Sequence, residues 1–174
     1  LSTLTLIITS IIFRRIIKKE ERIKDQLTSF NLLLEEKNTE IIDSINYAKR
    51  IQTAILPTNE RLKANLGDYF VLYRPKDIVA GDFYWVNEVQ NGFCFAAADC
   101  TGHGVPGAMV SVICNGGLNR SIKEFGITDP KGILEKTREL VIQEFEKSQE
   151  EMKDGMDIAL CKISNNTLHF AGAN

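Results

Sequence analysis

The stretch DFYWVNEVQNGFCFAAADC, Asp82 to Cys100, decides the fold. Two runs rich in aromatic and apolar residues, Phe83–Gln90 and Phe93–Ala98, flank Asn91-Gly92. An Asn-Gly pair between two such runs is the strongest short signal for a β-hairpin, because both residues accept the positive φ that a tight turn requires. With Asn91-Gly92 as a two-residue turn, Gln90 pairs with Phe93 and Tyr84 lies opposite Asp99. Side chains alternate along a strand, so Asp82 shares the face of Tyr84. The reading therefore makes Asp82 and Asp99 diagonal neighbours, about 7–8 Å apart at the backbone, at the open end of the hairpin.

Two carboxylates at that spacing can hold hard divalent cations, and two metals about 3.5–4 Å apart can clamp a phosphoryl group. Asp99 closes the apolar run FCFAAAD, where a bare carboxylate costs free energy unless it is paired or metal-bound. The plainer readings are a turn residue at Asp82, after Gly81, and a loop or cap residue at Asp99. Both acids at one hairpin mouth favour the metal reading. The loop that follows, Gly102-His103-Gly104-Val105-Pro106-Gly107, also matches G-x-G-x-x-G. A dinucleotide site is disfavoured, because the preceding strands form an antiparallel hairpin and a carboxylate directly ahead of the loop repels pyrophosphate.

Outward from the hairpin, YFVLY (Tyr69–Tyr73) reads as a short strand stopped by Arg74-Pro75. Val105–Phe125 reads as a helix, with Pro106 in its first turn and Gly116-Gly117 as a place where it loosens or bends. Pro130–Lys147 reads as a second helix capped by Asp129. Met156–Ile163 and Thr167–Ala171 pair around Asn165-Asn166. Strands, two helices and strands again, joined by hairpins, indicate an α+β fold with an antiparallel sheet.

The amino-terminal third is different. Residues 1–13, LSTLTLIITSIIF, carry no charge and precede Arg14, Arg15, Lys18 and Lys19. Thirteen residues are too few to span about 30 Å of hydrocarbon. The favoured reading is the end of a transmembrane helix with its basic flank on the cytoplasmic side; an apolar oligomerisation helix competes. Residues 14–56 form a coiled-coil linker. Its a positions are Ile16, Ile23, Phe30, Lys37, Ser44 and Ile51, and its d positions are Glu20, Leu27, Leu34, Ile41, Ala48 and Ile55. Pro57 ends the helix. Such a seam argues for a parallel homodimer, and Lys37 and Ser44 weaken it at its centre. Residues 57–174 form the folded domain.

Composition narrows the function classes. The 174-residue chain is 44% hydrophobic and 25% charged, with a net charge of -2, so no global charge draws it to nucleic acid. Cys94, Cys100, Cys114 and Cys161 form no C-x-x-C pair, and two histidines are too few to complete a zinc site. Buried free thiols in a reducing cytosol are the simplest reading.

RPKDIVAGDFYW (Arg74–Trp85), followed by ADCTGHGVPGAMVS (Ala98–Ser111), closely resembles the two signature segments of SpoIIE-type phosphatases, in the protein phosphatase 2C-like (PPM) superfamily. YAKRIQTAILP (Tyr47–Pro57) resembles the family's helical lead-in, and DGMDIALCKI (Asp154–Ile163) its next core strand. The resemblance implies an α-β-β-α sandwich with two Mn²⁺ or Mg²⁺ ions. Asp82 and Asp99 would ligate metal, with Asp99 shared by both ions, and the backbone carbonyl of Cys100 would complete the set where many relatives have Gly. Arg74 would hold phosphate or make a salt bridge. His103 would protonate the leaving alkoxide or serve the loop structurally. Asp157 departs from the family pattern, as an extra ligand or an inward polar contact. The implied chemistry is attack of a metal-activated hydroxide on phosphorus, without a phosphoenzyme. Implied partners are phosphoserine or phosphothreonine proteins such as STAS-type anti-sigma-factor antagonists, met at the inner face of the cell membrane. A catalytically inactive, phosphatase-like dimeric scaffold is the alternative. The chain starts at Leu1 and stops at Asn174 inside a strand-like run. The expectation is a domain incomplete at its carboxyl end, weakly active or inactive alone because further metal-binding aspartates follow.

Overall fold

The computed structural model describes residues 2–147 and 154–174; Leu1, the first residue of the apolar run, lies outside them. The elements are α1 (Ser2–Ile55), α2 (Asn59–Leu66), β1 (Phe83–Val89), β2 (Gly92–Cys100), α3 (Gly104–Lys123), α4 (Pro130–Glu146), β3 (Met156–Ser164) and β4 (Thr167–Ala173). The chain divides into two compact units, Leu1–Ser44 and Ile45–Asn174, with the boundary inside α1.

The first unit is helical. Nothing breaks it, because no Gly or Pro occurs before Pro57. Ile16, Ile23, Leu27, Phe30, Leu34 and Ile41 are all exposed. No helix among the described residues is long and apolar enough to cross a membrane.

In the second unit the four strands pair antiparallel in the order β1-β2-β3-β4. One face of the sheet carries Phe83, Trp85, Cys94, Ala96, Ile158 and Leu160 into a core completed by α3 and α4. Leu118, Ile133 and Leu160 are fully buried, each worth about 1.5–3 kcal/mol relative to exposure. The α4 helix starts on Asp129, whose side chain accepts from Gly132 N at 3.0 Å. Gly116-Gly117 does not interrupt α3. Gly117 is buried where an added Cβ would lie 3.1 Å from Thr137 Cγ2, so the residue serves close helix packing. The other face of the sheet carries Ala97, Ala159, Phe170 and Leu168, and these are exposed. One helical layer and one sheet of the expected sandwich are thus present among the described residues.

Two expectations are corrected. Tyr69–Tyr73 forms no strand; Phe70 and Leu72 are 89% and 75% exposed, and β1 stays an edge strand beside them. The β1–β2 register also differs. Val89 pairs with Gly92, so the turn residues are Gln90 and Asn91, with Asn91 at φ 63. Gly92 sits in the strand opposite Ser164, where any Cβ would collide with the carbonyl oxygen of Ile163. The glycine is required by the neighbouring strand and is not free for the turn. Asn165 and Asn166, at φ 49 and 62, do form the expected two-residue turn.

Candidate functional site

The pairing of Phe83 with Ala98, carried one residue further, places Asp82 directly opposite Asp99, not diagonal to it. Asp99 in turn pairs with Asp157 on β3. Three carboxylates therefore line up across adjacent strands on the open face, and all three are exposed. Asp99 does not end in the core, so the desolvation cost inferred from its apolar run is largely absent. The Asp82 carboxyl is nonetheless held above the usual range, first by partial desolvation and then by a hydrogen bond to, and the charge of, Asp99. The two acids are in contact.

The loop ahead of Asp82 is fixed from three sides. The Tyr73 hydroxyl donates to Asp82 O at 3.2 Å, and its ring meets Tyr84 edge-on at 5.7 Å. Burial, then the nearby Asp82 charge, raises the Tyr73 pKa and keeps this donor protonated. Gly81 lies against Cys100 O and Gly102 O, where a Cβ would stand at 2.8 and 2.7 Å. Gln52, in the last turns of α1, is buried; its amide donates to Ala80 O (2.5 Å) and Ser111 Oγ (2.9 Å) and accepts from Ala80 N (3.1 Å). The face of α1 that packs here includes Ala48 and Ile55, both half-buried. These two d positions of the heptad therefore serve the domain.

An open cleft of about 920 Å³ contains Asp82, Asp99 and Asp157, with Tyr73 and Arg74 on its wall. Arg74 is exposed and makes no ion pair among the described residues. His103 is elsewhere: its Nδ1 meets Asp77 Oδ2 at 2.8 Å, and it does not line the cleft. The pair ties the loop before β1 to the start of α3. The glycines of the G-x-G-x-x-G match serve this same turn. Gly102 and Gly104 have φ 89 and 61, and a Cβ at Gly107 would lie 2.5 Å from Gly102 O. The Cys100 thiol is buried; contact with Cys114, then desolvation, raises its pKa. Its backbone carbonyl lies against Gly81.

Hard oxygen donors, two carboxylates and a carbonyl, suit Mg²⁺ or Mn²⁺. An acid that resists ionising beside a second one gains from a cation between them. No group of three or more His, Cys, Asp or Glu side chains stands close enough to hold a metal among the described residues. Asp157 is thus in the row without completing a ligand cluster. Gln52, Tyr73 and Asp77 are the site-supporting residues that sequence reading missed. Gln52 had one local signal, a polar residue at the spacing of Ala48 and Ile55 on a helix face that packs.

Among solved structures, the SiaA-PP2C domain of Pseudomonas aeruginosa aligns at a TM-score of 0.67 and 36% identity, over 78% of this chain and 55% of that one. The chain has a PP2C-like fold. It spans about half the length of the matched domain. No protein-family model and no curated protein sequence matches it. The PP2C-like assignment agrees with the antiparallel sheet, the helical layer and the long amino-terminal helix.

Proposed function

We propose that this PP2C-like domain belongs to a SpoIIE-type, metal-dependent phosphoserine/phosphothreonine protein phosphatase of bacterial signal transduction. The observation that carries the reading is the contact of Asp82 with Asp99 in an open cleft. Asp82, Asp99 and the Cys100 carbonyl would hold Mn²⁺ or Mg²⁺. When bound, the ions supply activation of water and neutralisation of phosphoryl charge. Arg74, unpaired on the cleft wall, would meet the phosphate of the substrate. The open cleft suits a phosphorylated segment of a folded protein, such as a STAS-type anti-sigma-factor antagonist.

The exposed apolar positions of α1 support a homodimer through the coiled coil. The apolar run before Arg14 supports attachment at the inner face of the membrane. The test is phosphate release from a phosphoserine protein by the full-length protein with Mn²⁺. Loss of about 10²-fold or more in Asp99→Asn is expected; equal turnover by that variant rejects the reading. The absence of a three-ligand cluster among the described residues keeps a scaffold as the second reading. Metal binding by the full-length protein without turnover would favour it.

A further inference from the structure

Asp157 is an acid that neither the fold nor the aspartate pair accounts for. It stands directly opposite Asp99 in the β2–β3 ladder. It is exposed, lines the cleft and makes no ion pair among the described residues. Like charges directly opposite one another destabilise a sheet. The position therefore costs stability in the metal-free protein.

The strand that carries this acid is held in place. Pairing runs one residue past the acids, to Cys100 opposite Met156. Thr101 N–H donates to Gly155 O at 3.0 Å, and Gly155 N–H donates to Thr101 Oγ1 at 3.1 Å. Ile158, the next residue, is buried in the core. Asp157 thus does not sit on a loose strand end. Two residues along on the same face, Ala97 and Ala159 lie opposite each other, both exposed. Methyl groups there leave the floor of the cleft beside Asp99 and Asp157 open to water.

Neighbouring strands lie about 4.8 Å apart, and Mg²⁺ bonds oxygen at about 2.1 Å. An ion shared by Asp82 and Asp99 is one strand removed from Asp157, and the three acids do not converge as a ligand cluster. One water on the ion spans that step by donating to the Asp157 carboxylate. We infer that Asp157 is a positioning residue for the metal's waters and tilts the site toward Mg²⁺. The inference rests on metal binding at Asp82 and Asp99. Mg²⁺ gives up water reluctantly and keeps several waters in protein sites. Acceptors for those waters therefore carry more of its binding than of that of Mn²⁺, which draws more from direct ligands.

The experiment titrates Mg²⁺ and Mn²⁺ calorimetrically into the full-length protein and its Asp157→Asn variant, without substrate. Expected is a loss of about tenfold in Mg²⁺ affinity, against less than about threefold for Mn²⁺. In EDTA the variant should melt no lower than the original protein, because a repulsion is gone; a lower melting temperature assigns Asp157 to the fold and overturns the inference. Equal losses for the two ions show a charge effect alone, and unchanged Mg²⁺ affinity shows no role; either result overturns it. Uptake of neither ion by the original protein removes the metal site, and this inference with it. Uptake without phosphate release removes the phosphatase reading alone, and the two affinities still decide this one.

Discussion

Partial burial, then a hydrogen bond to Asp99 and the charge of Asp99, makes Asp82 harder to ionise. A carboxyl whose pKa is raised by folding favours the native state when protonated. That contribution is complete at low pH and is lost as pH rises through the raised value. At neutral pH the metal-free protein therefore carries a repulsion that Asp82→Asn removes. The variant should melt about 1–2 °C higher in EDTA, while the rise that Mn²⁺ gives the original protein should vanish; differential scanning calorimetry reads both. Gln52 acts at the same scale. Gln52→Ala strands the buried Ala80 N–H and carbonyl and frees Ser111 Oγ. A loss of about 2–4 kcal/mol is expected from urea unfolding. The meeting of Asp82 and Asp99 was legible in the sequence, because strand alternation puts both on one face. Tyr73 and Asp77 were not, since local pattern does not encode their partners, and Gln52 showed only its place on the packing face of α1.

Among the elements, the two helices and the Asn165-Asn166 hairpin follow from local signals: a capping Asp129, Pro at a first turn, and apolar runs either side of two residues that accept positive φ. The β1–β2 register did not, because the need for Gly92 comes from β3, a partner far along the chain. Pairing moved by two residues, which keeps each side chain on its face; a shift of one would have turned the acids apart. YFVLY has strand composition but pairs with no neighbour, and composition alone does not make a ladder. The contact between the Gly81 loop and the Gly102 loop belongs to this scale. Gly81→Ala pushes a Cβ against two carbonyl oxygens. It should cost about 1–3 kcal/mol and, by moving the next residue, weaken Mn²⁺ binding by about tenfold in isothermal titration.

The whole molecule pairs an exposed apolar helix with a domain that uses the last turns of that helix for itself. Ala48, Gln52 and Ile55 face the domain, so a dimer seam has to rest on positions before Ser44. Leu27 and Leu34, 58% and 50% exposed, are central to it. Leu27→Asn with Leu34→Asn should convert a dimer to a monomer in sedimentation equilibrium without altering the unfolding of the domain. A monomer already present in the original protein at micromolar concentration would remove the dimer from the account.

Metal binding at the aspartate pair is the claim on which the functional reading stands, and Mn²⁺ electron paramagnetic resonance measures it directly. Free Mn²⁺ gives a sharp signal that should fall as protein is added. Asp82→Asn and Asp99→Asn should each restore it, while Asp157→Asn should restore it little. Undiminished free Mn²⁺ in the presence of the original protein, or equal uptake by the Asp99→Asn variant, would contradict the assignment.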